Sequence, residues 1–149
     1  MNLLLDTNVI IDYLGRRESF FESAERVMAA GFFGDVKLWT STLSLKDAFY
    51  VLERFVGSAP LQRSFTKLNE VVSFVSVGEE DMLRALRLEW PDLEDCLIAT
   101  CAEKAKADYL ITRDLDGFER SAVPALQPDE WLALMKEQRG IDYDVPDNI

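Results

Sequence analysis

The chain has 149 residues, of which 48% are hydrophobic and 29% charged, with a formal net charge of −11, two cysteines and no histidine. That length supports one domain with a full core, and the composition is that of an ordinary folded protein rather than a disordered one. The acidity argues against a broad basic nucleic-acid coat. The lack of histidine excludes Ser-His-Asp triads, Cys-His dyads and histidine bases, and leaves carboxylates, lysines, tyrosines or metal-activated water for any proton transfer.

Leu3-Leu4-Leu5, ending at Asp6, predicts a buried strand, and Val9 to Leu14 a short helix closed by Gly15. A second helix is expected from Glu18 or Ser19 to Ala30 with Gly31 as its stop, followed by a strand over Val36 to Thr40. Ser44 to Val56 predicts a helix stopped by Gly57, and Pro60 to Glu70 another. Val71 to Val77 is the clearest strand. Helices over Glu79 to Glu89 and Asp92 to Ala107 precede a strand at Tyr109 to Thr112, a short strand at Val123 to Leu126 and a last helix at Asp129 to Gln138. Strands alternating with helices imply an α/β fold with a central parallel sheet flanked by helices. No repeat or linker appears, so residues 1–138 are expected to form one domain and residues 139–149 an acidic tail without periodicity, mobile or docked on a partner. No apolar run approaches the ~20 residues that span a bilayer. The opening Met1 to Asp6 lacks a basic segment and does not read as a signal peptide, so the cytoplasm is the expected location. Cys96 and Cys101 are read as buried small hydrophobes, because two thiols without histidine make a poor zinc set. Phe32, Phe33 and Trp39 are read as core.

The acids then stand out by position. In open α/β sheets ligands bind beyond the carboxyl ends of the strands. Asp6 follows the first strand directly, and Asp114 lies two residues past Thr112. Asp95 heads an apolar stripe with Ile98, Ala99 and Ala102, in a stretch from Cys96 to Ala102 without any charge. A carboxylate there needs a cation, a hydrogen-bond network or a raised pKa, although Asp92 can cap this helix and Asp95 then sits in its first turn. Asp47 is four-residue-box material, because Ser44-Leu45-Lys46-Asp47 has capping-box spacing; taken alone it reads as a cap. Together the four acids can meet at one pole of the sheet. Bare like charges there repel by several kcal/mol, which a divalent cation relieves, and hard oxygen donors without His or Cys favour Mg²⁺ or Mn²⁺.

Four segments carry a resemblance: Asp6-Thr7-Asn8-Val9-Ile10-Ile11-Asp12, Ser41 to Leu52, Asp92 to Ala99, and Ala107 to Asp114. In this order, over about residues 1 to 135, they resemble the signatures of the PIN-domain ribonucleases, many of which are toxins of VapBC-type toxin–antitoxin pairs. The resemblance implies a three-layer PIN fold and an endoribonuclease that uses Mg²⁺ or Mn²⁺. It also implies an RNA substrate, an antitoxin partner and homodimer formation. Carried over by position, Asp6, Asp47, Asp95 and Asp114 are the metal-site acids, Asn8 and Thr112 supporting polar groups, and Asp116 an extra acid. The second acid is often Glu in this family, and here it is Asp47. Arg16, Arg17, Lys46 and Arg113 are the cations expected to face an RNA backbone.

Two rivals remain at this stage. One is a PIN-like protein-binding module that is catalytically weak or inactive. The other is a phosphotransfer receiver or aspartate-nucleophile phosphatase, which is disfavoured because Val71 to Val77 ends in Gly78 rather than Asp and Asp6-Thr7-Asn8 lacks a second Asp. Asp114-Leu115-Asp116-Gly117 resembles the start of an EF-hand loop but lacks its ligand ladder and closing glutamate.

Overall fold

The computed structural model describes residues 1–144. Five strands form one all-parallel sheet: β1 (Asn2–Leu5), β2 (Lys37–Ser41), β3 (Val72–Val75), β4 (Tyr109–Ile111) and β5 (Ala125–Leu126), in the order β3-β2-β1-β4-β5. The helices are α1 (Thr7–Leu14), α2 (Phe21–Phe32), α3 (Thr42–Val56), α4 (Ser58–Leu68), α5 (Glu79–Leu88), α6 (Leu93–Lys104) and α7 (Pro128–Arg139), with a short 3-10 turn at Asp116–Phe118.

The layers follow from the two-residue period of β1. Leu3 and Leu5 face a core built with Val9, Ile10, Val27, Leu38, Leu52, Leu61 and Trp131, so α1, α2, α3, α4 and α7 share one side of the sheet. Leu4 faces the other way, onto Ile98, Cys101 and Ala102 of α6 together with Leu110 and Phe118. Burying both faces explains why the leucine run is continuous rather than alternating. It also explains why α6 is apolar all round over Cys96 to Ala102. The chain moves from β1 to β2 to β3 in one direction, then returns across the opposite face through α5 and α6 to place β4 on the far side of β1. The sheet order therefore reverses between β1 and β4, which opens a crevice at their carboxyl ends.

Some boundaries differ from the sequence reading for physical reasons. Gly31 does not stop α2 but sits in its last turn, where a Cβ would fall on Leu38 Cδ1; glycine serves close helix–sheet packing here. α3 starts at Thr42 rather than Ser44, because β2 runs straight into it and Ser41 is the cap, accepting from the Leu43 N–H at 3.1 Å. Phe32 and Phe33 are exposed, at 73% and 68%, so the core reading fails for both; Trp39 is half-buried against the α6 side. Cys96 and Cys101 are buried free thiols whose pKa values burial pushes up. After Gly140 there is no helix or strand through Asp144, yet Tyr143 is 4% exposed, stacks on Trp131 and donates to Asp35 at 2.9 Å. The start of the expected tail thus packs on its own domain, and its last five positions lie outside the described residues. Among the described residues no helix is long and apolar enough to cross a membrane.

Candidate active site

The register of β1 against β4 pairs Leu5 with Ile111, so the next residues on each strand, Asp6 and Thr112, emerge side by side in the crevice. The Asp6 N–H still donates to the Ile111 carbonyl at 2.9 Å, and the Thr112 N–H to Leu126 at 3.0 Å, which fixes both backbones. Asp6 also caps α1: its extended φ of −71° and ψ of 162° let Oδ1 accept from the Thr7 N–H at 2.7 Å. Its other oxygen, Oδ2, accepts from the Thr112 hydroxyl at 2.8 Å and from Asn8 Nδ2 at 3.4 Å. Thr112 Oγ1 in turn accepts from the Asp114 N–H at 3.0 Å and from Asn8 Nδ2 at 3.3 Å, while Asn8 Oδ1 accepts from the Arg113 N–H at 3.2 Å. Asn8 and Thr112 act together on Asp6. They hold Asp6 in one orientation and tie it to the loop that carries Asp114. Burial raises the Asp6 pKa against the pull of these hydrogen bonds, and the Asp114 charge raises it further.

Asp95 enters from α6. Asp92 caps that helix, accepting from the Asp95 N–H at 3.1 Å, so Asp95 stands in its first turn, where the helix dipole favours negative charge. Its pKa is nevertheless pushed up to about 6, first by burial and then by the charges of Asp92, Asp6 and Asp114. The Asp95 and Asp114 carboxylates meet over Gly117. A Cβ on that glycine would fall on Asp95 Oδ2 and stand 3.0 Å from Asp114 Oδ2. The glycine gives the two acids the room a side chain would fill.

Asp47 is not a cap. Ser44, its expected partner, is buried, and its Oγ accepts from the Thr7 hydroxyl at 2.8 Å, which fastens α3 to α1. Asp47 lies in the second turn of α3, 3.6 Å from Lys46 Nζ. Its carboxyl lies near that of Glu94, a residue the sequence reading passed over. The Glu94 pKa is pushed up to about 7, first by burial of its carboxyl and then by the neighbouring Asp47, Asp92 and Asp6, although the residue as a whole is exposed. The signal for Glu94 was its adjacency to Asp95 at the head of an uncharged helix.

The four sequence-predicted acids thus gather at one pole, as a group of Asp6, Asp95 and Asp114 with the Glu94–Asp47 pair beside it. Asp116 opens the 3-10 turn and is exposed, and none of these contacts includes it. Arg113 does not point outward. Its guanidinium grips the buried Asp12 through Nε at 2.6 Å and Nη2 at 3.2 Å and lies 3.9 Å from the Phe20 ring centroid. Lys46 is engaged with Asp47. A cleft of about 490 Å³ on the α1–α2 side, bordered by Tyr13, Phe21 and Lys67, includes none of the acids.

The donors are all hard oxygens; Asp6, Glu94 and Asp95 hold raised pKa values, first through burial and then through neighbouring negative charge, and no lysine or arginine pulls the Asp95 or Glu94 pKa back down. That set fits Mg²⁺ or Mn²⁺ in charge and donor type. Among the described residues no three acidic side chains yet converge within ligand reach of one point, so binding requires side-chain rotation, for which the exposed Asp114 has room.

A family model described as PIN domain matches residues 2–116. No curated protein matches the chain. Among solved structures it is similar to a toxin–antitoxin complex from Klebsiella pneumoniae, with 22% identity and a TM-score of 0.62 over 85% of this chain and 97% of that one. It is similar to VapBC2 from Rickettsia felis, bound to a DNA fragment from its promoter, with 18% identity and a TM-score of 0.62 over 85% and 98%. A third is VapC20 from Mycobacterium tuberculosis, a sarcin-ricin loop cleaving toxin, with 16% identity and a TM-score of 0.66 over 85% and 99%. With its three-layer parallel sheet and a family match over most of its length, the chain belongs to the PIN domain family.

Proposed function

We propose that this protein is a Mg²⁺- or Mn²⁺-dependent endoribonuclease that hydrolyses RNA phosphodiester bonds, and that it is the toxin of a VapBC-type pair held in check by a protein antitoxin. The observation that carries this reading is the meeting of the Asp95 and Asp114 carboxylates over Gly117, beside the buried Asp6. Such a cluster gains from positive charge, and membership of a nuclease family supplies the chemistry. The toxin assignment draws on the toxin–antitoxin complexes among the structural relatives. Homodimer formation and a cytoplasmic location belong to the same reading.

Asp6, Asp95 and Asp114 would hold the cation, with Asp47 beside them completing the set. The cation, when bound, polarises the scissile phosphoryl group and lowers the pKa of the attacking water. The chain's own residues do the rest. Asn8 and Thr112 fix Asp6 so that its carboxylate needs no reorientation during the reaction. Arg113, through Asp12 and Phe20, anchors the loop that presents Asp114.

The test is cleavage of RNA by the purified protein with Mn²⁺, with and without chelator. Asp95→Asn and Asp6→Asn should abolish chelator-sensitive cleavage while circular dichroism stays native; full activity in either variant would refute the site. One observation favours the second reading, a catalytically inactive protein-binding module. Two of the cations expected to take RNA, Arg113 and Lys46, are engaged with acids of the chain itself. Antitoxin binding without any metal-dependent cleavage would decide for it.

A further inference from the structure

A chain of net charge −11 that takes an RNA strand to a cluster of acids needs cations close to that cluster. Arg113 is held by Asp12 through two contacts, and the exposed Lys46 lies 3.6 Å from Asp47. Two further arginines, Arg84 and Arg120, lie on the flank of α6. A cleft of about 180 Å³ lies there between α5, α6 and the segment after the 3-10 turn, bordered by Arg84, Trp90, Thr100, Glu103 and Arg120. Three of its lining residues stand close in sequence to residues of the acid site or its helix cap. Gly117, three residues before Arg120, touches Asp95 and Asp114, and Trp90 stands two residues before the α6 cap Asp92. Thr100 is five residues beyond Asp95, about 7.5 Å along the helix and about 140° round it.

The cleft is built rather than incidental. The Arg120 guanidinium donates to the Leu88 carbonyl at 3.0 Å and the Glu89 carbonyl at 3.3 Å, at the end of α5, and sits 5.7 Å from the Trp90 ring centroid. Those bonds use two of its five N–H donors, and it forms no ion pair among the described residues. Across the cleft Arg84 donates to Thr100 Oγ1 at 3.5 Å and to Glu103 at 3.1 Å. Side-chain exposures of 48% for Arg84 and 36% for Glu103 mean that a phosphate can compete for this pair at little cost. The half-buried Trp90 offers a base a stacking partner.

We propose that this cleft binds a backbone phosphate of the substrate RNA next to the bond that is cut, held by Arg84 and Arg120, an assignment that rests on the ribonuclease reading above. A phosphate there would aim the strand along α6 into the acid site. A small diester such as bis(p-nitrophenyl) phosphate, which fills the acid site alone, gains nothing from the cleft.

The experiment compares wild type, Arg84→Gln, Arg120→Gln and the double variant with Mn²⁺ on single-stranded RNA and on bis(p-nitrophenyl) phosphate, at several salt concentrations. Each single substitution should raise KM for RNA several-fold, and the pair about tenfold or more, with kcat little changed. Each should flatten the slope of log KM against log salt by about 0.7, as for one lost phosphate contact on a single strand. Turnover of the small diester should stay at the wild-type value, and Arg84→Lys should recover part of the loss. If Arg120→Gln melts early because the α5 cap is lost, Arg84→Gln carries the comparison. Unchanged KM and salt slope in active Arg84→Gln would overturn the cleft and leave the ribonuclease reading standing. Equal losses on RNA and the small diester would overturn it too, because they mark a structural effect. If wild type turns over neither substrate, the ribonuclease reading fails and the cleft falls with it.

Discussion

Gly117→Ala separates the stability of this fold from the competence of its acid pocket. The added methyl would stand 2.4 Å from Asp95 Oδ2, 3.1 Å from Asp95 Cγ and 3.0 Å from Asp114 Oδ2, so the Asp95 carboxylate must turn away and that of Asp114 must give by a few tenths of an ångström. The backbone at Gly117 is not left-handed, so alanine itself is unstrained and stabilises by about 0.4–1 kcal/mol through the unfolded chain. Against this, turning Asp95 off its rotamer costs about 0.5–1.5 kcal/mol, while Asp114 is exposed and turns readily. The net change is within about 1 kcal/mol, which for a chain of this size moves Tm by only about 2–4 °C. Catalysis should respond differently, because moving a reacting group by about 1 Å costs about a hundredfold in rate. The assays are Mn²⁺-dependent RNA cleavage and a thermal melt on the same preparation. Full activity in Gly117→Ala would refute the idea that Asp95 and Asp114 act together over this residue. A melt lowered by much more than a few degrees would show that the glycine serves folding instead.

Two further outcomes follow from the same geometry. The folded pKa of Asp95, about 6, and that of Glu94, about 7, lie above their unfolded values of 3.8 and 4.5. The folded state then binds more protons between those limits, and the metal-free protein loses stability as pH climbs from about 4 to about 7. For Asp95, after discounting for solvent, the loss is about 1–2 kcal/mol. Asp81, held down by Lys104, acts in the opposite sense only at more acidic pH. Melting curves in chelator should therefore show a lower Tm at pH 8 than at pH 5, and millimolar Mn²⁺ should remove the difference; a Tm that rises with pH in chelator would contradict the repulsion. Asp12→Asn should destabilise by about 2–3 kcal/mol in urea denaturation, because it leaves Arg113, 29% exposed and stacked on Phe20, without its counter-charge. A change under about 0.5 kcal/mol would mean that this pair is no anchor.

Much of this was legible in the sequence because the signals were redundant. The leucine run of β1 and the uncharged face of α6 both state that a segment is buried on all sides. An aspartate at the edge of each therefore has to be a site or a liability. Asp6, Asp95, Asn8 and Thr112 were found that way or by family position. The capping-box reading of Asp47 failed because Ser41 and Ser44 stand three residues apart and either can cap; only the direct passage of β2 into α3 decides, and that is a tertiary fact. Gly31 looked like a stop and is a packing residue, since local propensity cannot see Leu38 across the layer. Glu94 escaped notice because it lies about 100° round the helix from Asp95, off the apolar stripe. Gly117 was noticed only as an EF-hand echo. Arg113 was read as an RNA cation because its partner, Asp12, is a hundred residues away and looked like one more polar position in α1.

The claim on which everything rests is that these acids form a cation site. Calorimetric titration of chelator-stripped protein with MnCl₂ tests it most directly. Wild type should bind saturably, and Asp6→Asn and Asp95→Asn, each native by circular dichroism, should bind roughly tenfold or more weakly, given that even supporting residues of metal sites carry effects of that size. Absence of Mn²⁺ binding by wild type, or equal affinity in both variants, would contradict it.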